Sequence, residues 1–471
     1  MFYRIRKPFL LLITIILSSF TSTFAQISIN FPTERAVFQR DKSNKSTFYI
    51  SGTYSEFVDR IDARLIPIQG GQALDWVTIQ SNVTGGSYAG SIQASGGWYT
   101  LEIRGLRGDQ IIGTAQVSKV GVGEVFIVAG QSNAQGFFNY GAPGSTDDRV
   151  SCINYSNQNK NTFDLPYPEF SHLDENSNIA PRGNSAWSWG KLGDLLTAQY
   201  NVPVLFYNMG WVGSSVKNWN ESITGITYSV YNPSEAYIPT GAPYGNLRRV
   251  LQYYIPVTGV RSVLWLQGES DNAINTSADT YYSLLKNVIE TTRKETGKDL
   301  SWVISRTSYD TYKGTNAGII AAQDKVIATV PNVFAGPLTD QMQVPRIDPD
   351  KIHFYGSGLT DLAQSWKNRL DDNFFNNSTP YTNASPLQVT FACENNNAIR
   401  LSIKNNEYRS ITWSNGQSGN QAVVGNGAYS VIAIDKNGNT ISSPRININL
   451  GIQPDKPAVT IDGSTTICKG S

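Results

Sequence analysis

Near-continuous apolar runs at residues 125–129, 202–207, 262–266 and 301–305 constrain this chain most. Each is short for a helix and lacks polar–apolar alternation, so each reads as a strand covered on both faces. Helical patterns follow at 187–200, 278–295 and 317–330. Apolar strands interleaved with helices predict an α/β architecture over residues 120–375, with a parallel sheet at its centre. Sites in such sheets lie at the carboxyl ends of the strands.

The flanks follow a different grammar. Between residues 26 and 119, short alternating stretches are punctuated by Gly70-Gly71, Gly85-Gly86 and Gly96-Gly97. Period-two patterning with regular turns predicts a small β-sandwich there. A second, Ig-like sandwich is expected over 386–450, with strands at 411–416 and 427–433. At 455–471 the pattern restarts: Ala458-Val459-Thr460-Ile461 before Cys468 echoes Leu387-Gln388-Val389-Thr390 before Cys393. This predicts the start of a further, truncated module, and modules of this kind suit attachment to a cell surface or glycan.

Residues 1–25 carry Arg4, Arg6 and Lys7, then an apolar stretch too short to span a bilayer, then Thr23-Phe24-Ala25. That is the layout of a signal peptide cleaved near Ala25, so a secreted, cell-surface or periplasmic protein without a membrane span is expected. With a net charge of +1 and no basic run beyond the leader, nothing predicts nucleic-acid binding. Cys152, Cys393 and Cys468 are odd in number, which leaves one thiol without an internal partner. No Cys/His cluster predicts a metal, and no cofactor is expected.

The chemistry-bearing residues cluster in four segments. Gly130-Gln131-Ser132-Asn133 directly follows the first apolar run, placing a serine at the start of a helix past a strand end. Residue 134 is Ala, so GxSxG is absent and the turn is not the nucleophile elbow of α/β-hydrolases. Asp350-Lys351-Ile352-His353 supplies a base and a carboxylate to orient it, the other two parts of a serine-hydrolase triad. Asp348 competes with Asp350 as orienter, and His172, the one other histidine, competes with His353 as base. Gly210-Trp211-Val212-Gly213-Ser214-Ser215 offers a backbone N–H free of a Cβ, at Gly213 or at Gly210, to an oxyanion. Trp265-Leu266-Gln267-Gly268-Glu269-Ser270-Asp271 offers the Gln267 amide to the same charge, while Glu269 suits a sugar hydroxyl, a brace for Gln267 or a support for the histidine.

These four blocks, in this order, resemble those of the SGNH hydrolases, and among them the carbohydrate esterases related to sialate O-acetylesterase and acetylxylan esterase. The resemblance spans roughly residues 121–375 and implies a three-layer α/β/α sandwich. It implies Ser132 as nucleophile, His353 as base and Asp350 as its partner. It further implies an oxyanion hole from the Ser132 and Gly213 N–H groups with Gln267, and substrate contacts from Gln131, Asn133, Glu269 and Trp211. Gln267 stands where many members carry Asn, and Gly210-Trp211-Val212-Gly213 departs from the more usual double glycine. The resulting expectation is a secreted esterase that removes O-acetyl groups from carbohydrates through an acetyl-enzyme. A catalytically inactive carbohydrate-binding or adhesion protein is the alternative.

Overall fold

The structure is a computed structural model that describes residues 27–83, 86–346, 351–395, 397–403, 408–443, 446–448 and 450. The expected leader, the 455–471 segment and Cys468 lie outside the described residues, as do Asp348 and Asp350.

The first strands are β1 (Ile27–Phe31), β2 (Ala36–Gln39), β3 (Lys45–Tyr54), β4 (Arg60–Gly70), β5 (Leu74–Ser81), β6 (Ser87–Ser95), β7 (Gly97–Arg107) and β8 (Gln110–Gly130). β1, β3 and β6 form a three-stranded antiparallel sheet. It packs on the sheet containing β4 and β7 through apolar rings such as Phe38 and Phe48, stacked at 5.0 Å. β8 does not stop at residue 119, where the first β region was expected to end. Its first half pairs antiparallel with β7; its second half enters the parallel sheet between β11 and β12, described below.

The α/β region continues with α1 (Ser132–Gln135), β9 (Val150–Cys152), β10 (Ser171–His172), α2 (Trp189–Tyr200), β11 (Val204–Asn208), α3 (Val216–Glu221), α4 (Tyr244–Tyr253), α5 (Ile255–Thr258) and β12 (Ser262–Leu266). It closes with α6 (Glu269–Ala273), α7 (Ala278–Thr296), β13 (Trp302–Arg306), α8 (Ala317–Thr329), β14 (Val333–Leu338), α9 (Ser357–Lys367) and α10 (Asp372–Asn377). The strand order is β10-β9-β11-β8-β12-β13-β14, parallel except for β10.

The expected two-sided burial is realised residue by residue. Phe126, Val128, Phe206 and Leu264 point into one core with Trp189, Leu192, Leu362 and Trp366 of α2 and α9. Their neighbours Val125, Ile127, Leu205 and Val263 point into the other with Leu285, Ile289, Ile319 and Val326 of α7 and α8. Alternation of side chains across a strand, with apolar residues at every position, forces helices onto both faces. α7 has clear limits: the Ser277 side chain caps its start, and Gly297 ends it at φ +68°.

Past residue 388, short strands from Val389–Asn395 to Ile446–Ile448 surround a separate core that includes Leu401, Trp413, Val431 and Ala433. This region rests on the end of α7, where Asn437 and Asn439 donate to the Thr296 carbonyl at 3.4 Å.

β8 is also where charge is buried. Glu124 accepts from Arg261 at 2.7 Å, from Arg40 at 2.6 Å and from Gln39 at 2.9 Å. Burial pushes its carboxyl up, but the Arg261 and Arg40 guanidiniums outweigh that and hold it below the usual range. Glu124→Ala would leave Arg261 buried without its counter-charge. The expected loss is about 3–5 kcal/mol in chemical denaturation followed by Trp fluorescence.

Candidate active site

Ser132 is the first residue of α1, two positions beyond the end of β8. The chain builds β9, β10 and β11 on one side of β8 and β12 onward on the other, so the order reverses at β8. A crevice forms at such a switch point, outside the carboxyl ends of the strands. The turn into α1 requires glycine at residue 130: φ is +136°, and a Cβ would lie 2.0 Å from the Leu266 carbonyl oxygen.

His353 is brought to α1 by the residue next to Ser132. The Asn133 Nδ2 donates to the Ile352 carbonyl at 3.2 Å, and the Phe354 N–H donates to Asn133 Oδ1 at 3.3 Å. One carboxamide therefore grips the backbone on both sides of His353. Its orientation is set by Glu269, whose Oε1 accepts from the same Nδ2 at 2.9 Å. The His353 ring packs edge-on against Phe137 at 4.6 Å and Tyr140 at 6.2 Å, just beyond α1. Arg346 secures the same segment: its guanidinium bonds the Ile352 carbonyl and lies 4.2 Å from the Phe354 ring centroid. Arg346 had no motif to mark it in the sequence.

His172 is elsewhere. It lies on β10 at the far edge of the sheet, with Nε2 at 3.0 Å from the Ser145 carbonyl and Nδ1 between the Val150 carbonyl and Arg35. The geometry separates the two histidines that the sequence left in competition.

The loop after β11 can be read from its N–H groups. Trp211 N–H donates to the Gly130 carbonyl, Gly210 N–H to Asn208 Oδ1, Val212 N–H to Gln135 Oε1, and Ser214 N–H to the Trp211 carbonyl. Among the described residues, the Gly213 N–H is the one in this turn without an acceptor, and Gly213 adopts φ +69°. The Gly213 carbonyl accepts from the Tyr237 hydroxyl at 3.1 Å, and the Tyr231 ring passes over its Cα.

Gln267 is fully buried and its amide is occupied. Nε2 lies 2.5 Å from Asp271 Oδ2, 3.2 Å from the Ser214 carbonyl and 3.2 Å from Gln131 Oε1. Two N–H bonds thus face three internal acceptors. Gln131 is similarly engaged: its Oε1 also takes the N–H groups of Gly268 and Ser270. Gln131, Asn133 and Gln267 brace the segments against one another in this structure. Trp211 is nearly buried, 5.3 Å from the Tyr237 ring. Asp271, quoted in the motif without a role, holds Gln267 and the Val216 N–H that opens α3.

Burial raises both carboxyls of this block. Glu269 is pushed above the usual range by desolvation, against the Asn133 hydrogen bond. Asp271 is pushed up to about 6 by desolvation, against the Val216 N–H and Gln267. Among the described residues, no group of three or more His, Cys, Asp or Glu could hold a metal ion, and no helix is long and apolar enough to cross a membrane. Cys152 is a buried free thiol on β9.

Ser132 thus stands at the switch point of a mixed α/β sheet, with the His353 segment fastened to the residue beside it. A family profile described as carbohydrate esterase, sialic acid-specific acetylesterase, matches residues 122–370, just over half of the chain. The chain belongs to this carbohydrate esterase family. Among solved structures, a carbohydrate acetylesterase from Xanthomonas citri is 18% identical, with TM-score 0.46 over 88% of this chain and 95% of that one. An Arabidopsis thaliana protein is 15% identical, with TM-score 0.37 over 53% of this chain and 98% of its own. A family two carbohydrate esterase from Cellvibrio japonicus is 11% identical, with TM-score 0.29 over 75% and 96%. No curated protein matches.

The raised Asp271 carboxyl has a measurable consequence. A folded-state pKa above the unfolded value of 3.8 means that folding favours the protonated form. That contribution is complete below the unfolded value and is lost as pH rises through about 6. Thermal melts of wild type and Asp271→Asn between pH 4 and 7 should show the wild type losing up to about 3 kcal/mol relative to the variant across that window.

Proposed function

We propose that this protein is an exported serine esterase that removes O-acetyl groups from carbohydrates, in the manner of sialate O-acetylesterases. The observation that carries this reading is the Asn133 carboxamide gripping both sides of His353 while its neighbour Ser132 opens α1. The family match supports the ester chemistry.

His353 takes the Ser132 proton as Oγ attacks the acetyl carbonyl. The negative charge on the carbonyl oxygen is met by the N–H groups of Ser132 and Gly213, the latter free to donate. As the tetrahedral intermediate collapses, the C–O bond to the sugar breaks and the leaving alcohol takes its proton from His353. Water, deprotonated by His353, then attacks the acetyl-enzyme and releases acetate, restoring the Ser132 hydroxyl. Asp350 orients the imidazole from the segment before it. Gln267 serves this reaction by holding the Ser214 carbonyl, and with it the Gly213 turn, rather than by donating to the substrate. Gln131, Asn133 and Glu269 likewise brace the pocket, and Trp211 lines its sugar side. The β regions on either side support substrate binding or surface attachment, and the leader-like pattern of residues 1–25 supports export.

Hydrolysis of p-nitrophenyl acetate and of acetylated glycans tests this directly. Ser132→Ala and His353→Ala should each lose at least about 10³-fold in kcat, while His172→Ala should retain activity. Asp350→Asn should cost more than Glu269→Gln. Equal rates for wild type and Ser132→Ala would favour an inactive binding protein on the same fold.

A further inference from the structure

One cation near the site has no internal counterpart. Arg182 follows Ala180-Pro181, and its N–H donates to the Asn208 carbonyl at the end of β11, which carries the residue to the switch-point end of the sheet. Its guanidinium carbon stands 3.5 Å from the centroid of the Trp211 ring. Trp211 is itself fastened to the nucleophile turn by its N–H bond to Gly130.

The buried or half-buried guanidiniums of Arg149, Arg248 and Arg261 lie against Asp147, Glu295 and Glu124. Arg182 has no such carboxylate among the described residues. Its Nε is buried without a partner, and the bond from its Nη1 to the Gln158 carbonyl is long at 3.5 Å. Desolvation lowers its pKa to about 10, so it stays charged at neutral pH while held in a setting that disfavours charge. Stacking on the indole orients the guanidinium and offsets part of that cost. An incoming carboxylate would offset more, because charge-assisted bidentate pairs are the strongest hydrogen bonds available to arginine.

The surroundings suit a sugar. Tyr237, 5.3 Å from Trp211, reaches the Gly213 carbonyl. Tyr231 lies over Gly213 with its hydroxyl 3.3 Å from Ser270 Oγ, and is 60% exposed. An aromatic wall with one unpaired cation therefore borders the oxyanion turn.

We propose that Arg182 binds the carboxylate of an acidic sugar whose acetyl ester is presented to Ser132. The proposal rests on the esterase reading above. The carboxylate could belong to a nonulosonic acid or to a hexuronic acid; the chemistry is the same and the substrates separate them.

The test compares kcat/KM for O-acetylated N-acetylneuraminate and O-acetylated galacturonate, each against its carboxyl methyl ester, in wild type and Arg182→Gln. Wild type should prefer at least one free acid over its methyl ester by about tenfold or more, chiefly through KM, and Arg182→Gln should erase that ratio. The preferred acid names the source. Ser132-dependent hydrolysis of all esters, with the same acid-to-ester ratio in wild type and variant, overturns the proposal and leaves the esterase reading intact. Failure of wild type to hydrolyse any acetyl ester overturns both. Should Arg182→Gln not fold, inhibition of wild type by N-acetylneuraminate or galacturonate, each against its methyl ester, replaces the variant. Tighter inhibition by a free acid supports the proposal, and equal inhibition overturns it.

Discussion

One strand carries the architecture. β8 runs for 21 residues, leaves the antiparallel β region in its first half and becomes the central strand of the parallel sheet in its second. The position of Ser132 therefore depends on the register of both regions. Glu124 sits at the hand-over, and its two guanidinium partners come from opposite sides: Arg40 follows β2, and Arg261 precedes β12. A buried carboxylate in such a setting tolerates little displacement, because moving any partner leaves a charge without compensation. The first β region is thus built into the parallel sheet.

The site is organised by amides and carboxylates that face one another. Gln131 ties the Ser132 turn to the start of α6, Gln267 ties α6 to the Gly213 turn, and Asn133 ties α1 to the His353 segment. Each carboxamide can donate and accept at once, so three such side chains join four distant segments in a space that excludes water. The burial cost appears as the raised carboxyls of Glu269 and Asp271, which lie where the hydrogen-bond network is densest. That cost holds the pocket in one arrangement before substrate arrives.

Arg182 stands outside this economy. The bracing residues bond one another, whereas the Arg182 guanidinium rests on an indole with its Nε buried and unbonded. A buried guanidinium Nε without a protein partner, in a cation with no facing carboxylate among the described residues, is available to an anionic ligand.

Much of the fold was legible along the chain. The strand expected at 262–266 is β12, and the helix expected at 278–295 is α7 within a residue, because apolar runs and capping residues act locally. β14 was not legible: its Gly336 and Pro337 break the pattern and are tolerated because it is the edge strand. Nor did local pattern show that β8 crosses the expected boundary at residue 119, since a long strand shared by two sheets has no signature at the hand-over. Residue chemistry named Ser132 and the two histidines as candidates, but which histidine segment lies beside Ser132 depends on contacts across more than 200 residues. The same holds for Gln267: its type suits an oxyanion donor, and only the packed neighbours reveal that its N–H bonds are already occupied. Periodicity and residue type are local properties, so the sequence carries the elements and the candidate groups; hydrogen-bond partners, burial and unpaired charge are properties of convergence, and exist only once the chain has folded.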